Sequence, residues 1–539
     1  MNLCEVLVRH VAERPNAPAI IEPRTGGADT DGSHTISFRD LDDRSARGAH
    51  LLQSLGLVPG DRVLVLQPLS IELYVALLAM FRAGLVVCLI DPSAGRAHLA
   101  AGLSRVRPRA FFGPTKANLF RLVNGPLRRL RPAISTGISW PGVAAWTSLS
   151  SFEPLGDIVP KDPDDDALIT FTSGSTGVPK AASRSHGFLL AQHAALERAI
   201  ELEPGEVDLA TLPVFVLANL ASGVTTLLPD ADIRRPGEID PESVLRQIET
   251  ARPTRAAASP AFFERLLSNE TGTPRQQEPL STKLASLRKV YTGGAPVFPR
   301  LLARLQDAMP DARICAVYGS TEAEPIAHIH WDEITGGDLE RMDSGGGLLT
   351  GAPVSEITLR IVEFPSGTVS SIPHFPQAGF DELEFGPGEP GEIVVSGDHV
   401  IPSYLDGEGD EETKVDVDGR RWHRTGDTGY LDDTGRLWLL GRSSAVIEDV
   451  RGRLYPFAVE CAVSRFGWIR RSALVSDGEE RVLIVEPIDS GHEGDLDAVL
   501  QSLEWALIDR ILTVRSIPVD RRHNSKVDYA KLRGMIRDL

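Results

Sequence analysis

Cysteine is scarce in this chain of 539 residues, and the four present, Cys4, Cys88, Cys315 and Cys461, are scattered without metal-binding or redox spacing. Three of them sit in apolar runs, as buried thiols do in a reducing compartment, so a cytoplasmic location is expected. Long uncharged apolar runs are missing as well. The longest, Leu73 to Ile90, is broken by Arg82 and Gly84 and reads as a helix followed by a strand, not as a membrane span. The first residues carry Glu5, Arg9 and His10 among the apolar ones, which is not the pattern of a signal peptide. Positive charge is in deficit: 56 Lys and Arg stand against 74 Asp and Glu, a net charge of −18 that argues against a general nucleic-acid surface. No repeat of fixed period is visible.

What is present is the composition of a globular protein, 42% hydrophobic and 24% charged, in a chain too long for one core. Two or more domains are expected. Thr35 to Phe38 reads as a short strand and Arg39 to Leu55 as a helix. Arg62 to Leu66 is a buried strand, Ile71 to Arg82 a helix capped by Gly84, and Leu85 to Ile90 another strand. Strand, helix, strand with continuously apolar strands is the signature of a parallel sheet covered by helices, hence an α/β fold. Residues 113–166 show little pattern, and Asp162, Asp164, Asp165 and Asp166 read as a solvated loop. Ser185 to Ile200 reads as a helix, and 365–390 as an irregular surface excursion.

The most informative stretch is Thr172-Ser173-Gly174-Ser175-Thr176-Gly177-Val178-Pro179-Lys180, directly after the β-prone run Ala167 to Phe171. It offers four side-chain hydroxyls, two glycines that let the backbone come close to a ligand, and a cation at the exit. Successive N–H groups in such a turn form an anion-binding concavity, which suits a polyphosphate. It has neither the Walker A nor the Gly-x-Gly-x-x-Gly spacing. By itself a Gly/Ser/Thr cluster also suits a flexible polar loop.

Further on, the strand-like Leu287 to Val290 leads to Gly293-Gly294-Ala295-Pro296, where small residues let a flat ring lie on the backbone. Ile314 to Val317 leads to Tyr318-Gly319-Ser320-Thr321-Glu322, with an aromatic face for a base, hydroxyls for phosphate and a carboxylate for Mg²⁺. Trp422 to Asp427 follows a β-rich stretch beginning at Gly391; His423 within it reads as packing or surface. Near the end stands His523-Asn524-Ser525-Lys526-Val527-Asp528.

In this order the motifs resemble those of the adenylate-forming superfamily, which includes acyl-CoA synthetases, peptide-synthetase adenylation domains and luciferases. The resemblance covers nearly the whole chain. It implies a large N-terminal AMP-binding domain, 1–441, of two parallel-type sheets with flanking helices and a β-rich subdomain. A small mobile α/β domain, 442–539, would carry the catalytic lysine. It implies ATP binding by Thr172, Ser173, Gly174, Ser175, Thr176, Gly177 and Lys180. Gly293, Gly294, Ala295 and Pro296 would contact adenine, with Tyr318 flanking the ring beside Gly319 and Ser320. Thr321 would touch the α-phosphate, Glu322 bind Mg²⁺, and Asp427 hold the ribose hydroxyls, with Arg442 also at the nucleotide. Lys526, Glu322 and Thr176 would be the catalytic set. Phe215, Val216, Leu217 and Asn219, with Gly293, would wall an acid pocket; the bland reading of 211–223 is core. Val216 stands where relatives often carry His, which favours an alkyl acid.

Departures narrow the resemblance. The hinge reads Gly441-Arg442-Ser443-Ser444, without its usual acid, and Gly452 comes one position late. A usual Lys is Glu448, and Ser525 replaces the Gly before Lys526. With Phe215-Val216-Leu217, Arg471 to Val475 and Arg522 to Lys526, these features look like the olefin-pathway β-lactone synthetases, which cyclise 2-alkyl-3-hydroxy acids. That implies a small carboxylic acid as substrate, with a thiolase-like or other pathway enzyme as partner. The alternatives are a fatty acyl-CoA ligase and a ligase loading a carrier protein.

Overall fold

The computed structural model describes residues 1–23, 32–90, 95–172, 180–268, 279–364, 371–489, 494–520 and 526–536. The chain separates into two compact units: residues 1–230 with 398–412, and residues 231–397 with 413–539. Among the described residues no helix is long and apolar enough to cross a membrane.

In the first unit, strands Arg62–Val65, Val86–Leu89, Ala110–Gly113, Ala133–Ser135, Ala144–Ala145 and Asp166–Thr172 pair in parallel. Lys180–Ser185 closes one edge antiparallel to Asp166–Thr172. Parallel strands need helices on their faces, and Ile71–Arg82 fills that role as a helix buried along its whole length. Ser70 caps it by accepting from the Leu73 N–H. The helix expected after Thr35 to Phe38 is Phe38–Ser54, capped by Ser37. The stretch 113–166, poor in pattern as sequence, contributes a helix, Thr115–Val123, and the sheet strand Ala133–Ser135. Its elements are short and its buried residues, Trp146 and Arg121 among them, are scattered over several of them, so no hydrophobic period develops.

The second unit starts with parallel strands Arg255–Ala258, Lys289–Gly293 and Arg313–Ser320. The sheet then turns antiparallel through Ala323–His330, Leu348–Pro353, Leu437–Arg442 and Arg420–Leu431. Two more strands, Gly391–Ser396 and Thr358–Val362, complete this side. From 443 onward the chain builds a separate sheet of Ile469–Asp477, Glu480–Pro487 and Arg510–Thr513. One apolar cluster holds Val459, Leu474, Leu483 and Val499; another holds Ala473, Val482, Ile484 and Leu532. The region around 371–390 differs from the surface excursion expected. Phe380 is fully buried with Val394, Val415 and Trp422, so its aromatics serve a satellite core.

The hairpin Arg420–Leu431 and Leu437–Arg442 matters most for the site, and its turn is pinned by one carboxylate. Asp432 accepts from the N–H and hydroxyl of Thr434, the N–H and Nε of Arg436, and the indole N–H of Trp438. Burial alone would raise this carboxyl. The hydrogen bonds from Thr434, Trp438 and Arg436 more than reverse that and hold it well below the usual carboxylate range. A depressed folded-state value stabilises the fold fully above the unfolded value of about 4, and that stability is lost as pH falls below it. Asp432→Ala leaves the buried Trp438 N–H without its acceptor, and it is expected to cost about 3 kcal/mol in urea unfolding at pH 7. An unchanged midpoint would contradict the pinning.

Candidate functional site

The hairpin register sets Asp427 directly opposite Arg442, and Thr428 opposite Gly441. Oppositely charged side chains facing each other across antiparallel strands attract, and here Arg442 Nη1 lies 3.3 Å from Asp427 Oδ1. The same guanidinium donates to the Thr425 carbonyl at 3.0 Å, while the Thr425 hydroxyl accepts from the Asp427 N–H at 3.1 Å. The second oxygen of Asp427, Oδ2, accepts from the Tyr318 hydroxyl at 2.8 Å. Tyr318 lies near the end of the strand Arg313–Ser320. Burial, then the neighbouring Asp427 charge, raise its phenol well above the usual value, so it stays a donor at neutral pH. Asp427 raises Arg442, which stays cationic.

Tyr318, Asp427, Gly441 and Arg442 line one cavity of about 1110 Å³. Gly294, Ala295, Pro296, Gly319 and Ser320 lie on its wall, and so does Lys526. Gly294 adopts φ +81°, a left-handed conformation natural to glycine. A Cβ on Gly293 would meet the Val317 carbonyl oxygen at 2.6 Å, so the approach of these two strands requires glycine there. Ser320 Oγ accepts from the N–H groups of Glu322 and Ala323, which shapes the turn after the strand. Thr321 and Glu322 occupy that turn, half-buried. The Glu322 charge acts on both Lys526 and Arg442.

Lys526 is half-buried and its backbone is fixed. Its N–H donates to Asp520 Oδ1 at 3.0 Å, and its carbonyl accepts from the Asp520 N–H at 2.8 Å. Burial lowers the ammonium, Arg442 lowers it further, and Asp427, Asp520 and Glu322 oppose that. Lys526, Arg442 and Asp427 thus share one cavity wall, with the charges of Asp520 and Glu322 within electrostatic reach of Lys526. An incoming anion meets a half-buried Lys526 and a solvent-exposed Arg442, two positive charges on one cavity wall that both attract it.

Ser173, Gly174, Ser175, Thr176 and Gly177, with the Thr172 side chain, lie outside the described residues. Lys180 is buried in the first unit, where it pairs with Glu412 at 2.7 Å and sits over the Tyr404 ring. Phe215, Val216 and Leu217 belong to the helix Pro213–Ala221. Asn219 on that helix is fully buried and donates to Asp208 and to Thr226. His423 is buried beside Lys414.

Sequence reasoning missed Asp520, Thr425, Tyr529 and Glu460. Glu460 had a signal, since it is the lone acid in the apolar helix Pro456–Val463. Tyr529 had another, standing three positions after Lys526.

Removing Asp427 leaves Arg442 without its counter-ion and Tyr318 without its acceptor. Asp427→Ala is expected to weaken ATP binding more than tenfold by calorimetry, since a charge-assisted hydrogen bond contributes about 1.5–3 kcal/mol. Equal affinity of variant and parent would contradict a nucleotide role for this pair.

Comparison with known proteins gives the family. A family model described as AMP-binding enzyme matches residues 7–405. An olefin β-lactone synthetase of Stenotrophomonas maltophilia is 32% identical, over 98% of this chain and 97% of that protein. Its counterpart from Xanthomonas campestris pv. campestris is 32% identical over 98% and 96%. Among solved structures, ATP-bound MatB from Rhodopseudomonas palustris superposes with a TM-score of 0.77 at 21% identity, covering 100% of this chain and 99% of that one. The chain therefore belongs to the AMP-binding, adenylate-forming enzymes, and it is a ligase of the AMP-forming type.

Proposed function

We propose that this enzyme activates a 2-alkyl-3-hydroxy fatty acid as its acyl-AMP and closes it to a β-lactone, releasing pyrophosphate and then AMP. The observation that carries the reading is 32% identity, sustained over 98% of the chain, to a protein named an olefin β-lactone synthetase. The altered hinge Gly441-Arg442-Ser443-Ser444 and the apolar 211–223 segment support it.

In the first step a carboxylate oxygen attacks the α-phosphorus of ATP and pyrophosphate leaves. Two anions must meet, so the protein's contribution is positioning and charge neutralisation. Asp427 would hold the ribose hydroxyls, and the loop 172–180 the phosphates. Lys526 would bridge the carboxylate and the α-phosphate, a task that suits a compact cation on a flexible stem. The lysine-bearing domain, 442–539, would close to complete the site and exclude water.

Among the described residues no three metal-binding side chains gather. Mg²⁺ brought by ATP keeps several oxygen ligands of its own and needs one or two protein carboxylates, which fits the single carboxylate of Glu322. Bound there, it would neutralise charge on the departing pyrophosphate.

In the second step the substrate's 3-hydroxyl oxygen attacks the acyl carbon, its proton is lost, and AMP departs. The nucleophile is tethered, with an effective concentration on the order of 10⁵ M or more when well aligned. Water and external thiols compete poorly against that.

Two outcomes test the reading. Lys526→Ala is expected to keep ATP affinity while acyl-AMP formation falls roughly 10²-fold or more; normal acyl-AMP formation would remove Lys526 from adenylation. A 2-alkyl-3-hydroxy acid incubated with ATP and no CoA is expected to give lactone and AMP by mass spectrometry. Strict CoA dependence, a thioester product and equal use of acids lacking the 3-hydroxyl would instead identify an acyl-CoA ligase.

A further inference from the structure

Glu460 is a carboxylate in an apolar setting that the adenylation chemistry above does not use. It lies on the helix Pro456–Val463 and is 3% exposed, yet it is on the wall of the same cavity as Lys526, Asp427 and Arg442. Among the described residues its hydrogen bonds all fall on one oxygen, Oε1. It accepts from the Leu474 N–H at 3.1 Å, on the strand Ile469–Asp477, and from the Tyr529 hydroxyl at 2.6 Å. Tyr529 opens the helix Tyr529–Ile536. Glu460 therefore ties three elements together, and the last of them follows directly on the Lys526 segment.

That segment has two anchors. On one side Asp520 exchanges hydrogen bonds with the Lys526 backbone, and Val519 bridges Val527. On the other, three positions later, Tyr529 is held by its hydroxyl bond to Glu460 and by packing against Leu532 and its neighbours, beside the backbone bond from the Asp528 N–H to the Pro518 carbonyl at 2.9 Å and the bond from Arg533 to the Ser444 carbonyl. A 2.6 Å bond from a phenol to a carboxylate has the length of a charge-assisted one.

We propose that Glu460 is a positioning residue for the reaction: through Tyr529 it holds the Lys526 segment in the cavity, and it does so as a carboxylate, so that its protonation slackens the lysine. This rests on the reading of Lys526 as the adenylating lysine.

The surroundings set where that switch operates. Burial raises the Glu460 carboxyl to about 7, and the bonds from Tyr529 and Leu474 only partly oppose it. The charged groups on the packed elements act on its neighbours. Arg533 of the same terminal helix and Arg442 of the hairpin lower Tyr529. Asp343, on the helix Gly336–Asp343, raises the adjacent Cys461. Lys526 faces Arg442, Asp427, Asp520 and Glu322. Burial thus moves the charge change of Glu460 toward neutral pH. Above its value the phenol bond is charge-assisted; below it the bond is between neutral groups and weaker.

The test is the pH profile of acid-dependent pyrophosphate exchange, with a 2-alkyl-3-hydroxy fatty acid as probe, for the parent, Glu460→Gln, Tyr529→Phe and Lys526→Ala. Hydrogen exchange of residues 526–536 without substrate accompanies it. The parent's kcat is expected to fall on the acid side with an apparent value of about 7. Glu460→Gln should lose that limb, with kcat lower about fivefold to tenfold at pH 8 and the KM for ATP within about twofold. Tyr529→Phe keeps the carboxylate but removes a donor that favours its ionised form, so its limb should move to higher pH. Both variants should exchange faster than the parent in 526–536 at pH 8. A parental profile and parental exchange in both variants would overturn the proposal, even if Lys526→Ala is inactive. Full exchange activity in Lys526→Ala would overturn the lysine reading and this one with it.

Discussion

The site depends on one cross-strand contact, the pairing of Asp427 with Arg442 in the register of a single hairpin. A carboxylate and a guanidinium facing each other on adjacent strands need no long-range search once the hairpin forms. Everything else is arranged around them. Tyr318 reaches in from the parallel part of the sheet and occupies the other oxygen of Asp427, which fixes the plane of the carboxylate. The turn at Asp432 holds the hairpin's far end, so the register that brings the pair together is pinned at both ends. Lys526 then enters a field already set: lowered by burial and by Arg442, sustained by Asp427, Asp520 and Glu322.

Such a field is suited to joining two anions. Lys526 is half-buried and Arg442 faces solvent, and the two positive charges together favour the arrival of a carboxylate and a triphosphate. A flexible ammonium near another cation drifts toward solvent unless its backbone is held. The Asp520 exchange and the Tyr529–Glu460 bond supply that hold from either side.

Much of this was legible in the sequence, for identifiable reasons. The helix Ile71–Arg82 and the strands on either side of it showed as apolar runs bounded by Gly and Pro, because both strands are interior to a parallel sheet. Gly293 to Pro296 and Tyr318 to Ser320 lie where strands of one sheet end, so motifs that read as turns after strands converge on one wall. What escaped was set by tertiary partners. Ala133–Ser135 is too short to show a period, and the buried Phe380 looked like part of a loop because its neighbours Val415 and Trp422 come from distant sequence. The pairing of Glu460 with Tyr529 spans 69 positions, and neither residue alone says which will be its partner. The loop 172–180, strongest of the sequence motifs, contributes to the structural account only through Lys180, which pairs with Glu412.

The central claim is that the substrate's carboxylate, and not its hydroxyl, is activated, and that the hydroxyl then closes the ring. Labelling both carboxylate oxygens with ¹⁸O and turning over the acid once decides it. Carboxylate adenylation followed by attack of the 3-hydroxyl puts one ¹⁸O into AMP and leaves one in the lactone carbonyl, with an unlabelled ring oxygen. Activation of the hydroxyl instead would leave AMP unlabelled and both labels in the lactone, and that result would contradict the account.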